Sequence, residues 1–220
     1  MARRKNKKPK NKIVKGLELA VISLFIALLV RAFVVCGYVI PSDSMENTLF
    51  GGDVVLAQKI SYSMRRPKPG EIVVFRYPLN PKKYFIKRCI ATAGQTVEIV
   101  DKTLYVDGHI YEDPPKVTYK DPEVLEMIFS NRDNFGPYTV PEKSIFVMGD
   151  NRDQSEDSRS WGEVPLKFIQ AKPMFVYFSW AEAPNAPEYN NILNLLDVIW
   201  YNIVHLFDRL RLGRIGVFPS

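Results

Sequence analysis

At 220 residues, 46% hydrophobic and 25% charged, the chain is long enough to bury a core and too apolar to be disordered. Its net charge of +6 belongs to one end: Met1–Lys15 holds eight Lys or Arg and no acid, which leaves 22 basic against 24 acidic residues in the rest. A basic tail on a near-neutral body removes the support for nucleic-acid binding, which needs a basic face spread over a fold.

Gly16 to Val39 is mostly apolar, and Leu19–Val30 is free of charge, with Glu18 and Arg31 at its borders. About 20 apolar residues cross a bilayer core. The expectation is a cytoplasmic tail over residues 1–15 and a transmembrane anchor over 16–37. By the positive-inside rule everything after Val39 then lies outside, in a single-pass protein of the cell membrane with lipid as a partner. A cleaved signal peptide is the alternative, with Val35-Cys36-Gly37 as a weak cleavage site, but the apolar stretch is long and Arg31 would interrupt it. Cys36, at the membrane edge, and Cys89, in a strand, read as small packing residues; one pair without metal spacing implies neither a disulfide nor a zinc site.

The signals that follow are mostly β. Apolar runs at Val54–Ala57, Glu71–Phe75, Tyr84–Ala91, Val97–Val100, Ser144–Met148 and Met174–Ser179 are separated by turn residues such as Pro67-Lys68-Pro69-Gly70 and Ala93-Gly94. Leu104–Tyr111 predicts a hairpin, because Asp107-Gly108 supplies the positive φ values of a type I′ turn. Asp113–Pro141, rich in Pro, Asp and Asn, reads as an insertion with one helical turn near Val124–Phe129. The predicted class is mainly β, a sandwich or barrel of short antiparallel strands over 38–180 with an insertion at about 104–141. In the 181–220 segment, Ile192, Leu195, Leu196, Ile199, Ile203, Leu206 and Leu210 recur at helical spacing and predict an amphipathic helix over Asn191–Arg211. Packing on the β domain and lying on the outer leaflet are equally compatible with that pattern.

The chemistry-bearing residues are few. His109 falls in a hairpin turn and His205 in the terminal helix, so a Ser-His-Asp triad has little support. No His/Cys/Glu cluster has metal-ligand spacing, and no glycine-rich phosphate loop follows a strand; no cofactor and no metal is expected. A serine nucleophile needs a base, and lysine serves if burial holds it neutral. Lys87 shares a strand face with Phe85 and Cys89, the surroundings such a base requires, although a strand lysine can equally snorkel to water. Ser44, among Pro, Ser and Asp, reads equally well as a turn residue. Gly149–Gly162 reads by itself as a loop tied together by its polar side chains.

Three stretches in order carry a resemblance. They are Pro41-Ser42-Asp43-Ser44-Met45 after the apolar segment, Tyr84-Phe85-Ile86-Lys87-Arg88, and Gly149-Asp150-Asn151-Arg152-Asp153-Gln154-Ser155-Glu156-Asp157-Ser158-Arg159. Together they resemble the bacterial type I signal peptidases, and Leu210–Gly216 looks like that family's C-terminal end. The resemblance implies a membrane-bound serine endopeptidase with a signal-peptidase-like β domain, which removes signal peptides from secretory preproteins. It implies Ser44 as nucleophile, Lys87 as general base and Ser42 with the Ser44 backbone N–H as oxyanion donors. It also implies Ser155 as the residue that orients the lysine, Asp157 and Arg159 as loop supports, and Arg88 as structural. Small residues, typically Ala, are implied at the first and third positions before the cut. Asp43 stands where the family often has glycine and Phe85 where it has tyrosine, and Glu182–Leu206 is longer than the usual link. An inactive or specialised anchored relative serving one dedicated peptide is the alternative.

Overall fold

The computed structural model describes residues 12–183, 186–187 and 195–219. Helix α1 (Lys12–Phe33) is 22 residues long. At 1.5 Å per residue that is about 33 Å, the thickness of a hydrocarbon core. Residues Lys12–Arg31 are apolar enough to cross a membrane, and none of that window is buried in the protein. The helix stops at Phe33, short of the Gly37 end of the expected anchor, because the chain becomes strand β1 (Val35–Val39). The hand-over is visible in the backbone: Val34 N–H still bonds Val30 C=O, whereas Val34 C=O already accepts Lys59 N–H. Cys36 therefore sits half-buried in a strand opposite Ala57, and Cys89 is buried; both thiols are free.

The remaining strands are β2 (Asp53–Gln58), β3 (Ile72–Tyr77), β4 (Asn80–Thr92), β5 (Thr96–Val100), β6 (Thr103–Val106), β7 (His109–Ile110), β8 (Phe135–Thr139), β9 (Ser144–Met148), β10 (Val164–Pro165) and β11 (Ile169–Ser179). Seven form one antiparallel sheet in the order β1-β2-β11-β3-β4-β9-β10, and four form a second in the order β7-β6-β5-β8. The mainly β class is as the sequence predicts. Asp107 and Gly108 have φ of 52° and 76°, the turn their residue types foretell. The Asp113–Pro141 stretch holds more order than its composition suggests, since β8 pairs with β5. Its helical turn is reduced to two bonds onto Glu126 C=O, from Phe129 and Ser130.

Burial alternates along β2, where Asp53, Val55 and Ala57 point inward, but is continuous along β9, which is covered on both faces. Three apolar clusters result. Ile40, Met45, Leu49, Val55, Val74, Ile86 and Val176 pack beneath the β1 end. Val73, Phe75, Cys89, Ile145 and Val147 fill the other face of β3, β4 and β9. Ile90, Val97, Ile99, Leu104, Phe146 and Met148 join the two sheets. Lys87 stands opposite Val73 in the β3–β4 register, so its stem lies on the face of the second cluster.

The predicted C-terminal helix is broken. After two short helices, α2 (Ile60–Met64) and α3 (Ser158–Trp161), helix α4 (Leu195–Val204) and helix α5 (Leu206–Arg209) are separated at His205; residues 191–194 of the predicted span lie outside the described residues. Beyond them the chain returns to the sheet. Arg214 donates to the buried Asp53 carboxylate at 2.6 Å and to Thr48 C=O at 3.0 Å, while Arg211 donates to Gly51 C=O. Asp53 also accepts from Ser179 Oγ at 2.6 Å and Phe50 N–H at 3.0 Å. Burial alone would raise the Asp53 pKa, but the Arg214 bond and these donors hold it below the ordinary carboxylate value. The C-terminal arginines thus brace residues 48–53. Replacing Arg214 by Met leaves that buried carboxylate with only the more distant Arg211, at 3.8 Å, and should cost about 3 kcal/mol. The loss should be smaller near pH 3, where Asp53 of the variant is protonated. Denaturant melts of the full chain in detergent at both pH values check this, and an unchanged midpoint at neutral pH would refute it.

Candidate active site

The chain from Ile40 to Met45 leaves the sheet edge and tightens into a 3-10 turn over Asp43–Met45, with Ser42 extended before it. Met45 and Leu49 are buried and pin this turn to the first cluster. Asp43 accepts Gly51 N–H through Oδ1 at 2.9 Å, so the carboxylate that stands in place of a glycine closes the 43–51 loop on itself. Ser42 Oγ and Ser44 Oγ lie 3.2 Å apart.

Lys87 comes from the middle of β4, only 3% exposed. Its Nζ donates to Ser155 Oγ at 3.0 Å. Burial among apolar groups disfavours the ammonium and brings its pKa down to about 8, against the upward pull of Asp157. Ser42, Ser44 and Lys87 open into one cavity of about 300 Å³, walled by Ile40, Pro41, Tyr84, Phe85, Ile86 and Glu156. Ser44 is thus paired with Ser42 and Lys87 with Ser155, two halves facing one space; such contacts commonly tighten only when substrate fills it.

The third element is the loop from Gly149 to Arg159. Gly149 lies between both halves: a Cβ there would fall 2.2 Å from Ser155 Oγ and 2.4 Å from Ser44 C=O. Only a hydrogen at this position lets the loop approach the Ser44 turn and the Ser155 hydroxyl together. Asp157 caps the short helix α3 (Ser158–Trp161) and accepts Gly149 N–H at 3.0 Å. Arg159 grips Asp157 with two bonds of 2.9 Å and donates onward to Arg152 C=O and Arg132 C=O. Burial by itself would raise Asp157, yet the Arg159 charge and bonds keep it below its ordinary value. Sequence reasoning therefore named Ser42, Ser44, Lys87, Ser155, Asp157 and Arg159, and the fold brings all six to one place.

It missed how the loop is fastened to the Ser44 turn. Asn151 N–H donates to Ser44 C=O at 3.1 Å, and its side-chain amide donates to Asp43 C=O and Glu46 Oε2. Arg88, beside Lys87 but on the opposite face of β4, holds Asp150 with bonds of 2.8 and 2.7 Å, and Thr48 donates to the same carboxylate at 2.6 Å. The signal was in the sequence, in Gly149-Asp150-Asn151, but partners more than 60 positions away cannot be read from one strand of text. Arg152, buried, is held by Asp113 and Tyr119 from the long segment after β7.

The depressed pKa of Lys87 has a stability consequence. Its folded value near 8 lies below an unfolded value of about 10.4. The folded state is then penalised on the order of 3 kcal/mol below pH 8, and the penalty fades as pH rises towards 10.4. Lys87→Met keeps the apolar stem and removes the charge. It should melt several degrees higher than the parent at pH 6, with the gap narrowing by pH 10. A variant that melts below the parent at pH 6 would show that the amine is not held against its charge.

Comparison with known proteins now has a geometry to stand on. The family model described as signal peptidase, peptidase S26, matches residues 13–180. Signal peptidase I of Aquifex aeolicus is 33% identical over an alignment covering 84% of this chain and 93% of that one. Probable signal peptidase I-1 of Synechocystis is 39% identical, covering 76% and 83%. A crystal structure of a signal peptidase I from Enterococcus faecalis is 29% identical, covering 49% of this chain and 97% of that one with a TM-score of 0.39. A match that runs from the apolar helix to the end of β11, together with relatives aligned over most of their length, places this chain in the signal peptidase family, peptidase S26.

Proposed function

We propose that the protein is a membrane-bound serine endopeptidase that removes N-terminal signal peptides from secretory preproteins, with Ser44 and Lys87 as its catalytic dyad. The observation that carries this reading is a lysine amine buried to 3% exposure, held by Ser155 and opening into the cavity that contains Ser44. Family membership and relatives named as signal peptidases give the hydrolase and its substrate class. An inactive peptide-binding relative is not favoured, since both members of the dyad are present and share a cavity.

Neutral Lys87 takes the Ser44 proton as Ser44 Oγ attacks the scissile carbonyl. Ser155 holds the amine so that its lone pair points into the cavity, and Asp157 with Arg159 holds Ser155. Charge develops on the carbonyl oxygen, where the Ser42 hydroxyl and the Ser44 backbone N–H donate. Lys87 then gives its proton to the leaving amine, and later activates the water that releases the acyl group from Ser44. No metal or cofactor enters these steps. A cavity of about 300 Å³ between two chain segments suits short side chains beside the cut in an extended peptide. With the basic tail in the cytoplasm and α1 as a single anchor in the cell membrane, the cavity lies on the extracytoplasmic side, where the cut must be made.

Ser44→Ala should leave only background cleavage in single-turnover assays on one preprotein. Ser42→Ala keeps nucleophile and base but loses an oxyanion donor, and should slow the chemical step by roughly a hundredfold with little change in binding. A Ser42→Ala rate equal to the parent, with Ser44→Ala dead, would assign the oxyanion to the backbone alone. The parent rate should rise about tenfold per pH unit below pH 8 and level off above it, following the free amine of Lys87. Lys87→Arg should be inactive throughout, because guanidinium keeps its proton.

A further inference from the structure

The C-terminal helix is built inside out. The half-buried side of α4 carries Val198, Tyr201 and Asn202. Asn202 accepts from Arg209, which also donates to Ala181 C=O at 3.0 Å and lies 4.8 Å over the Trp180 ring. Tyr201 stacks on His205 with ring centroids 4.1 Å apart. Main-chain bonds between Ala181 and Arg209 and between Arg211 and Ser179 fix this end of the segment to the end of β11. The helix is therefore held in one orientation by its polar side.

Its other side is exposed among the described residues. Leu196, Trp200 and Ile203 follow the i, i+4, i+7 stripe of α4, Phe207 of α5 continues it past His205, and the four are 74, 69, 60 and 85% exposed. Ile199 and Val204 widen the stripe. A soluble domain would bury such a face; here the stripe is exposed while Asn202 and His205 are half-buried.

The rest of the chain indicates what covers the stripe. Helix α1 is an unburied apolar span, and β1 begins two residues after it. The outer face of the β1–β11 end of the sheet carries exposed Val39 and Tyr177, with Gly37 against the Tyr177 ring. Next along β11, Phe178 stacks on Trp180, the residue that Arg209 of α5 covers. Exposed apolar groups thus lie at the end of the span and on the outer face of β1 and β11, next to the point where α5 is fastened. A surface tethered to a bilayer at one end meets lipid at high effective concentration.

We infer that α4 and the start of α5 form a second, in-plane membrane contact, with Leu196, Trp200, Ile203 and Phe207 inserted among lipid at the outer interface. This rests on the reading that α1 spans the bilayer. Apolar faces of such helices sink about 5–10 Å into the boundary between headgroups and acyl chains. The flanks of the stripe carry Asp197 and Asp208 and no cation, so the contact is apolar in origin, not a headgroup charge attraction. Its effect is to hold the catalytic domain down on the surface from which the substrate emerges.

Nitroxide labels on the full chain in phosphatidylcholine vesicles test this. The parent for labelling is Cys36→Ser, since Cys89 is buried. Single cysteines replace Trp200, Phe207, Asn202, Leu24 and Ile110 in turn, and each variant is kept only if it still cleaves preprotein. The readout is the ratio of collisions with oxygen, which concentrates in lipid, to collisions with an aqueous nickel chelate. Labels at 200 and 207 should give a ratio several-fold above that at Ile110, an exposed hairpin residue, and above that at Asn202. Position 24 reports the anchor separately: a water-like ratio there overturns the spanning reading of α1, and the inference with it. A lipid-like ratio at 24 with water-like ratios at 200 and 207 overturns the inference alone. Dipolar broadening between labels at 200, which marks a second copy of the chain on this face, overturns it as well.

Discussion

The arrangement depends on Asp157, a carboxylate with no solvent exposure that is fixed from two directions. Arg159 approaches it with two parallel bonds, and Gly149 N–H approaches from the neighbouring strand end. Burying an ion pair of this kind costs several kcal/mol in desolvation, so an apolar pair of similar size could be as stable. What the ion pair supplies is geometry. It sets the length of the loop between Gly149 and Asp157, and so where Ser155 meets Lys87. Gly149 completes the constraint, because its backbone lies against both Ser155 and the Ser44 carbonyl.

Two further fasteners keep the loop and the Ser44 turn from drifting apart. Asp150 is shared by Arg88 of β4 and Thr48 of the segment that follows Ser44. Asn151 ties itself to Asp43, Ser44 and Glu46. Lys87 and Arg88, adjacent in sequence, thus point to opposite faces of one strand and do opposite things: one is kept poor in charge partners, the other is fully paired. The period of two in a strand is what separates them by so short a length of chain. The C-terminal arginines act on the same segment from its far side, so residues 43–53 are held at both ends.

Legibility followed locality. The type I′ hairpin at Asp107-Gly108, the buried run of β9 and the apolar α1 were readable because their signals lie within a few residues. The family was readable because three short stretches occur together and in order, although Ser44 or Lys87 alone would have suggested nothing. Strand β1 was hidden because Val35–Val39 continues the apolar run of the anchor, and only pairing with β2 turns it into strand. Strand β8 was hidden by Gly136-Pro137, which reads as a breaker yet sits at the edge of the small sheet, where a missing N–H is tolerated. The first residues of β4 were missed because Asn80–Lys83 is polar and exposed, and strand there comes from the β3 hairpin and not from burial. The stripe of α4 was legible, but a helical period says nothing about which side meets the protein. That was decided by Trp180 and Arg209, which lie far apart in the chain.

The electrostatics of Lys87 show why its neighbours come in pairs. A lone carboxylate beside a buried lysine would restore the ammonium. Asp157 is close enough to pull the pKa up, and Arg159 is close enough to push it down. Asp150 also pulls upward, but its carboxylate is taken up by the Arg88 guanidinium and the Thr48 hydroxyl. Asp157 and Asp150 thus each arrive with their own cation, whereas Glu156 on the cavity wall adds a further upward pull. The two arginines pair with these acids without touching the amine. They let the loop use strong, directional carboxylate bonds to place Ser155 while desolvation, not a counter-ion, sets the protonation state of Lys87.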